Sequence, residues 1–205
     1  MYLSFFPFCF IVCYAFYVID YDSLYSISPS VFGARPSDLA KKVLHLTGDA
    51  CGKTLLDLGA GQGRDSAFFA TSGFTVTAVE KSQTAFNQLS KFDPPVTVIS
   101  ADITGSKCIK GMFDVVFSNN VLHILERATA EAVLKRIVAS VKPGGLFAIS
   151  VLEVDGRITK NEIREATQEW EVFYLVDEEI TDRGHPGEPL PHRHKVFRLI
   201  AKKPA

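Results

Sequence analysis

Thr54-Leu-Leu-Asp-Leu-Gly-Ala-Gly-Gln-Gly-Arg-Asp65 decides how this 205-residue chain is read. It opens with an apolar run, which predicts a buried parallel strand. Gly59, Gly61 and Gly63 follow, alternating with Ala60 and Gln62. Glycine tolerates positive φ and lets a backbone come close to another group. From Ser66 the period changes to that of a short helix. Strand, glycine turn and helix together predict free backbone N–H groups and a helix N-terminus offered to a nucleotide-like ligand.

The spacing of the turn separates cofactor classes. A dinucleotide fold wants G-x-G-x-x-G, with a third glycine packing helix on strand. Here Arg64 stands at that third place, and no G-x-x-x-x-G-K-[ST] phosphate loop occurs. The second strand, Phe74-Thr-Val-Thr-Ala-Val-Glu80, ends in an acid about 20 residues beyond the glycines, the place from which a ribose is held.

Asp57, the three glycines and Glu80, in this strand–helix–strand context, resemble the class I S-adenosylmethionine-dependent methyltransferases. That resemblance implies a doubly wound, seven-stranded, mostly parallel Rossmann-like α/β sheet with its last strand antiparallel. It implies S-adenosyl-L-methionine as cofactor, with S-adenosyl-L-homocysteine as product. Asp57, Gly59, Ala60, Gly61, Gly63 and Arg64 would line the cofactor around the turn, and Glu80 with Lys81 would take the ribose. Asp102 and Ile103, after the third strand (Val96–Ile99), would take the adenine. Ser118 and Asn119, at the end of the fourth strand (Asp114–Phe117), would lie near the methionine part. His123 would face the acceptor. Tyr25, in the Tyr21-Asp-Ser-Leu-Tyr25 segment before the first long helix, would close over the cofactor.

Other elements fit the same plan. Ser37 reads as an N-cap before an amphipathic helix. Thr129–Val141 reads as a second amphipathic helix, and Lys142-Pro-Gly-Gly145 as a turn into a fifth strand, Leu146–Leu152. A helix over Lys160–Thr167, a strand over Trp170–Leu175 and a last strand over Lys195–Ala201 complete the chain. Residues 20–205 are expected to form one methyltransferase domain.

Asp182-Arg-Gly-His-Pro-Gly-Glu-Pro-Leu-Pro-His-Arg-His194 reads as a proline-stiffened loop. His192, Arg193 and His194 suit a wall for a small oxyanion acceptor, since arginine offers a fork and histidine a switchable donor. A solvated surface loop ranks second. Metal binding by the histidines with Glu188 ranks third, and no metal is expected. Together with the Gly-Gln-Gly-Arg-Asp turn and Phe113–Leu125, this loop resembles the TehB-type tellurite-resistance methyltransferases. The expected acceptor is therefore a small molecule such as a tellurite- or selenite-type oxyanion or a thiol. A cofactor-binding module without catalysis and a nicotinamide-dependent oxidoreductase are the alternatives.

Lys and Arg number 22, Asp and Glu 23, for a net charge of −1. A nucleic-acid surface should be basic, so no nucleic-acid partner is expected. Four cysteines without a CxxC pair suggest reduced thiols, and a cytoplasmic setting is expected. Residues 1–19 carry no charge. They are barely long enough to span a membrane, and they lack the basic start and cleavage site of a signal peptide. Membrane anchor, packed arm and extension outside the functional unit are competing readings; oligomeric state is left open.

Overall fold

The computed structural model describes residues 20–105, 108–182 and 191–205. A single sheet of seven strands dominates: β1 (Thr54–Leu58), β2 (Thr75–Glu80), β3 (Thr97–Ser100), β4 (Phe113–Asn119), β5 (Val141–Leu152), β6 (Glu171–Asp182) and β7 (His192–Lys202). Their order is β3-β2-β1-β4-β5-β7-β6. The first five strands are parallel, and β7 runs antiparallel between β5 and β6. The chain reverses its direction of winding after β3, crossing from one edge back to the centre beside β1. In such sheets the crevice outside the carboxyl ends at that reversal receives the ligand.

Helices cover both faces. On one lie α2 (Asp38–Thr47), α3 (Arg64–Thr71) and α4 (Gln83–Leu89), and on the other α5 (Arg127–Ala139) and α6 (Lys160–Ala166). The central strands alternate their side chains between two cores. Leu55, Val115 and Phe117 pack with Leu39, Val43 and Phe69 on the first face. Leu56, Leu58 and Val116 pack with Val133, Leu134 and Ile137 on the second. Strands buried on both faces read as continuous apolar runs, which is why Leu55-Leu56 and Val115-Val116-Phe117 show no polar alternation. A short helix, α1 (Tyr21–Ser26), precedes α2 and lies against α4.

Two features differ from expectation. The Lys142-Pro-Gly-Gly145 turn is absorbed into β5 as a bulge. Pairing with β4 jumps from Phe113↔Val141 to Val115↔Leu146, and Gly144 takes φ +72°. The hairpin of β6 and β7 is also longer than its hydrophobic runs. Pairing continues through Glu178↔Val196 and Thr181↔Arg193 to Asp182↔His192, so His192-Arg-His194 sits on a strand. The cross-strand ion pairs Arg198–Glu178 (3.1 Å) and Arg193–Glu179 (2.8 Å) supply there the pair contacts that apolar residues supply elsewhere. Among the described residues no helix is long and apolar enough to cross a membrane. The uncharged stretch 1–19 lies outside them.

At the amino ends of the strands Asp114 joins three segments. One carboxylate oxygen accepts from the Thr54 amide (2.8 Å), the Thr54 hydroxyl (2.8 Å) and Lys142 Nζ (2.7 Å). Burial alone would raise this carboxyl, but Lys142 and Thr54 outweigh it and hold it at about 2. A carboxyl depressed in the folded state stabilises above its unfolded value, about 3.9, and that contribution is lost as pH falls toward the folded value. Asp114→Ala should therefore lower stability by about 2 kcal/mol at neutral pH. In urea titrations the gap from wild type should shrink as pH falls from about 4 to about 2.

A second prediction concerns the turn. Gly63 has φ +83°, and a Cβ there would lie 2.3 Å from Leu89 Cδ2 and 2.5 Å from the Phe92 ring. Gly48 has φ +67° with nothing within 4 Å. Gly48→Ala should cost about 1 kcal/mol for the backbone alone. Gly63→Ala should cost about 2–4 kcal/mol, because overpacking of a buried contact is added. Equal midpoint shifts in urea would refute the packing role of Gly63.

Candidate active site at the carboxyl ends of the strands

The turn after β1 is folded back on the end of β2. The amides of Gly59 and Ala60 both donate to Val79 O (2.9 and 3.2 Å). The Gly61 amide donates to Glu80 Oε2 and the Ser82 amide to Glu80 Oε1, each at 2.8 Å. Gly63 N donates to Ala60 O (3.0 Å). These amides, expected to face a ligand, serve the turn itself. What remains for a ligand is the start of α3, whose N-cap residue Gly63 supplies no side-chain cap, and the second lone pairs of the Glu80 oxygens.

The glycines are needed for protein contacts as well. A Cβ on Gly59 would meet Val121 at 2.6 Å, and one on Gly61 would meet the Tyr25 hydroxyl at 2.9 Å. Gly63 is filled by Leu89 and Phe92, as described above. All three have φ between +53° and +83°, where an L side chain is strained.

Three buried carboxylates surround the turn: Asp57, Asp65 and Glu80. Asp57 Oδ2 accepts from Ser66 Oγ (2.6 Å). Burial pushes its carboxyl up to about 7, and nearby Asp65 and Glu80 add to the rise while Ser66 opposes it. Asp65 accepts from the Ser37 amide (2.7 Å) and from Asn119 Nδ2 (3.2 Å). It thereby ties α2, α3 and β4 together. Tyr21 and Tyr25 stay protonated, their pKa values raised by burial and then by the Glu80 charge.

The segment before α2 is strapped over this turn. Gln62 Oε1 accepts from Val31 N (2.7 Å), and Gln62 Nε2 donates to Ser28 O (2.6 Å). Arg64 donates to Phe32 O, and its Nε lies 3.9 Å from Asp65. Asp102, at the end of β3, is half-exposed. Its Oδ1 accepts from Thr104 N (2.8 Å), and Lys81 Nζ lies 3.9 Å from its Oδ2. Burial raises its carboxyl, but the Thr104 hydrogen bonds and Lys81 prevail and hold it below the usual range. Ile103 is buried in the core on the α5 face. Ser118 Oγ is buried without a hydrogen-bond partner.

The histidines lie at the same end of the sheet. His123 stands in a 3-10 turn, Leu122–Ile124. Its Nδ1 accepts from the Leu152 amide at the end of β5 (3.4 Å). Burial, then His194 and Arg157 nearby, push it down to about 4, so it is neutral with its proton on Nε2. His192 and His194 share one face of β7, with Nε2 atoms 2.7 Å apart. Arg193 points from the other face to Glu179, as strand alternation requires. The sheet therefore gathers His123, His192 and His194 and turns Arg193 away. His185 and Glu188, in the metal reading of this loop, lie outside the described residues. Among those described, no group of three or more His, Cys, Asp or Glu is placed to hold a metal ion.

Gln62, Asp65 and Asn120 were not among the expected site residues. Asn120 follows β4 in the left-handed region (φ +58°), and its Oδ1 accepts from Ser150 Oγ (2.8 Å). Its signal in the sequence is that asparagine tolerates this conformation. Gln62 and Asp65 leave a weaker one, polar side chains beside the small residues of the turn.

A "methyltransferase domain" family model matches residues 55–145. An uncharacterized methyltransferase of Synechocystis sp. is 29% identical over 98 residues, covering 48% of this chain and 46% of its own length. This chain thus spans about half of that relative. Among solved structures, TehB from Haemophilus influenzae superposes with a TM-score of 0.70 at 19% identity, covering 80% of this chain and 61% of that one. A Burkholderia thailandensis 1,6-didemethyltoxoflavin-N1-methyltransferase, solved with its namesake ligand and S-adenosylhomocysteine, gives 0.60 at 24% identity over 82% of this chain and 77% of that one. Residues 55–145 thus match a methyltransferase domain, and the chain shares the seven-stranded fold of these methyltransferase structures.

Proposed function

We propose that this chain transfers a methyl group from S-adenosylmethionine to a small-molecule acceptor. One observation carries the reading: the buried Glu80 carboxylate, fixed at the end of β2 by the Gly61 and Ser82 amides, beside a turn whose helix starts uncapped. A carboxylate so placed accepts hydrogen bonds from a vicinal diol at little further desolvation cost, because it is already out of water. Asp102, half-exposed at the end of the next strand, suits an amino group. Ser118 and Asn119 lie on β4, beside β1. The bound sulfonium supplies an activated methyl group.

The protein's remaining task is to align the acceptor for in-line displacement, and alignment alone supplies much of the rate. His123, His192 and His194 suit that task, with Arg193 at the margin. The Nδ1 of His123 is taken by the Leu152 amide and its Nε2 carries the proton, so this ring donates a hydrogen bond and does not remove a proton. The acceptor that fits brings its own lone pair, as tellurite, selenite and thiolates do. A general base is dispensable for such nucleophiles.

Calorimetry with S-adenosylhomocysteine tests the donor side, with NADH as control. Wild type should bind the sulfur nucleotide alone, and Glu80→Ala should weaken it by at least tenfold, the loss of roughly one charge-assisted hydrogen bond. Equal affinity in the variant would remove Glu80 from the site. On the acceptor side, His194→Ala should raise KM for tellurite, selenite or thiol by about tenfold while leaving S-adenosylhomocysteine affinity unchanged. Turnover would be read as S-adenosylhomocysteine formed, with the methylated oxyanion or thioether identified by mass spectrometry.

A further inference from the structure

The six residues of α1 are too few to be helical alone, so contacts elsewhere must hold them in place. Asp22 makes the contacts that reach farthest. Its Oδ1 accepts from Ser82 Oγ (2.7 Å) and from the Thr84 amide (2.9 Å), sixty residues along the chain. The same Ser82 donates its amide to Glu80 Oε1 and caps α4 through Ala85 N (3.2 Å). With α1 so held, Tyr25 is buried against Gly61, and Tyr21 packs beside it with the rings tilted and 5.6 Å between centroids. The helix therefore covers the contact between Gly61 and Glu80. Beyond α1, Gln62 grips Ser28 and Val31 independently, so that stretch stays anchored when the Asp22 contacts break.

We infer that Asp22 is a positioning residue: it latches α1 to the start of α4 and so sets how fast S-adenosylmethionine enters and leaves the site beside Glu80. This rests on the proposed methyl-donor reading. Asp22 itself is exposed, so the latch competes with water and can open. The bonds from the Thr84 amide and Ser82 hydroxyl favour its charged form and hold its carboxyl below the usual range. Asparagine in its place keeps an oxygen able to accept both bonds, and alanine keeps none.

The test is stopped-flow binding of S-adenosylhomocysteine to the full chain as wild type, Asp22→Ala and Asp22→Asn, with hydrogen exchange of residues 20–27 in the absence of ligand. Asp22→Ala should raise association and dissociation rates together by about tenfold, the worth of roughly one hydrogen bond to a charged group. Kd should stay within about threefold, and the amides of α1 should exchange faster. Asp22→Asn should return both readouts toward wild type. Unchanged rates, or weaker affinity with an unchanged association rate, would overturn the latch. Failure of the wild-type chain to bind at all would remove the donor reading and the latch with it, an outcome distinct from binding with unchanged rates.

Discussion

The hydrogen bonds that fold the turn after β1 onto the end of β2 set the geometry of the whole carboxyl end of the sheet. Val79 O receives two turn amides, and Glu80 receives a third from Gly61. A backbone amide buried without a partner is costly, so a turn committed to these bonds has little freedom left. It fixes where α3 begins, which way Glu80 points and where Tyr25 can rest. It also brings Asp57, Asp65 and Glu80 into one buried region. Each of these buried carboxyl groups is met by donors drawn from elsewhere in the chain. Ser66 serves Asp57, the Ser37 amide and Asn119 serve Asp65, and the Gly61 and Ser82 amides serve Glu80. Burial, with Asp65 and Glu80 nearby, pushes the Asp57 carboxyl up to about 7 against the single bond from Ser66.

This arrangement changes what the glycines mean. Three glycines in alternation suggest a surface offered to a ligand. Here each gives up its Cβ to another part of the protein: Val121 after β4, Tyr25 in α1, and Leu89 with Phe92 in and after α4. The turn is a packing centre for three segments distant in sequence.

At the other side of the same crevice, the β6–β7 hairpin decides how the histidines are presented. Had His192-Arg-His194 remained a loop, all three side chains could have faced one acceptor. On a paired strand the period of two brings His192 and His194 together and commits Arg193 to Glu179. His123 reaches the same end from a 3-10 turn, with its tautomer fixed by the β5 backbone. The imidazole of His123 is neutral and its Nδ1 is already engaged, so this ring can donate a hydrogen bond but has no free basic nitrogen to take up a proton.

The sequence by itself determined the layered α/β plan. Apolar runs such as Leu55-Leu56 and Val115-Val116-Phe117 are long enough only for buried strands, and Ser37 marks a helix start by chemistry that acts within a few residues. Glu80 was legible for the same reason: its distance from the glycines is a matter of chain length along one β-α-β unit. Tertiary structure alone decided what depends on partners far along the chain. The Asp22–Ser82 and Asp65–Asn119 contacts span 60 and 54 residues, and no local pattern encodes them. The strand status of His192–His194 depended on register with β6, where ion pairs replaced the apolar alternation that a single sequence reveals. Local preference fixes which element forms, but which side chains meet above the sheet depends on how those elements pack, and packing is a property of the whole chain.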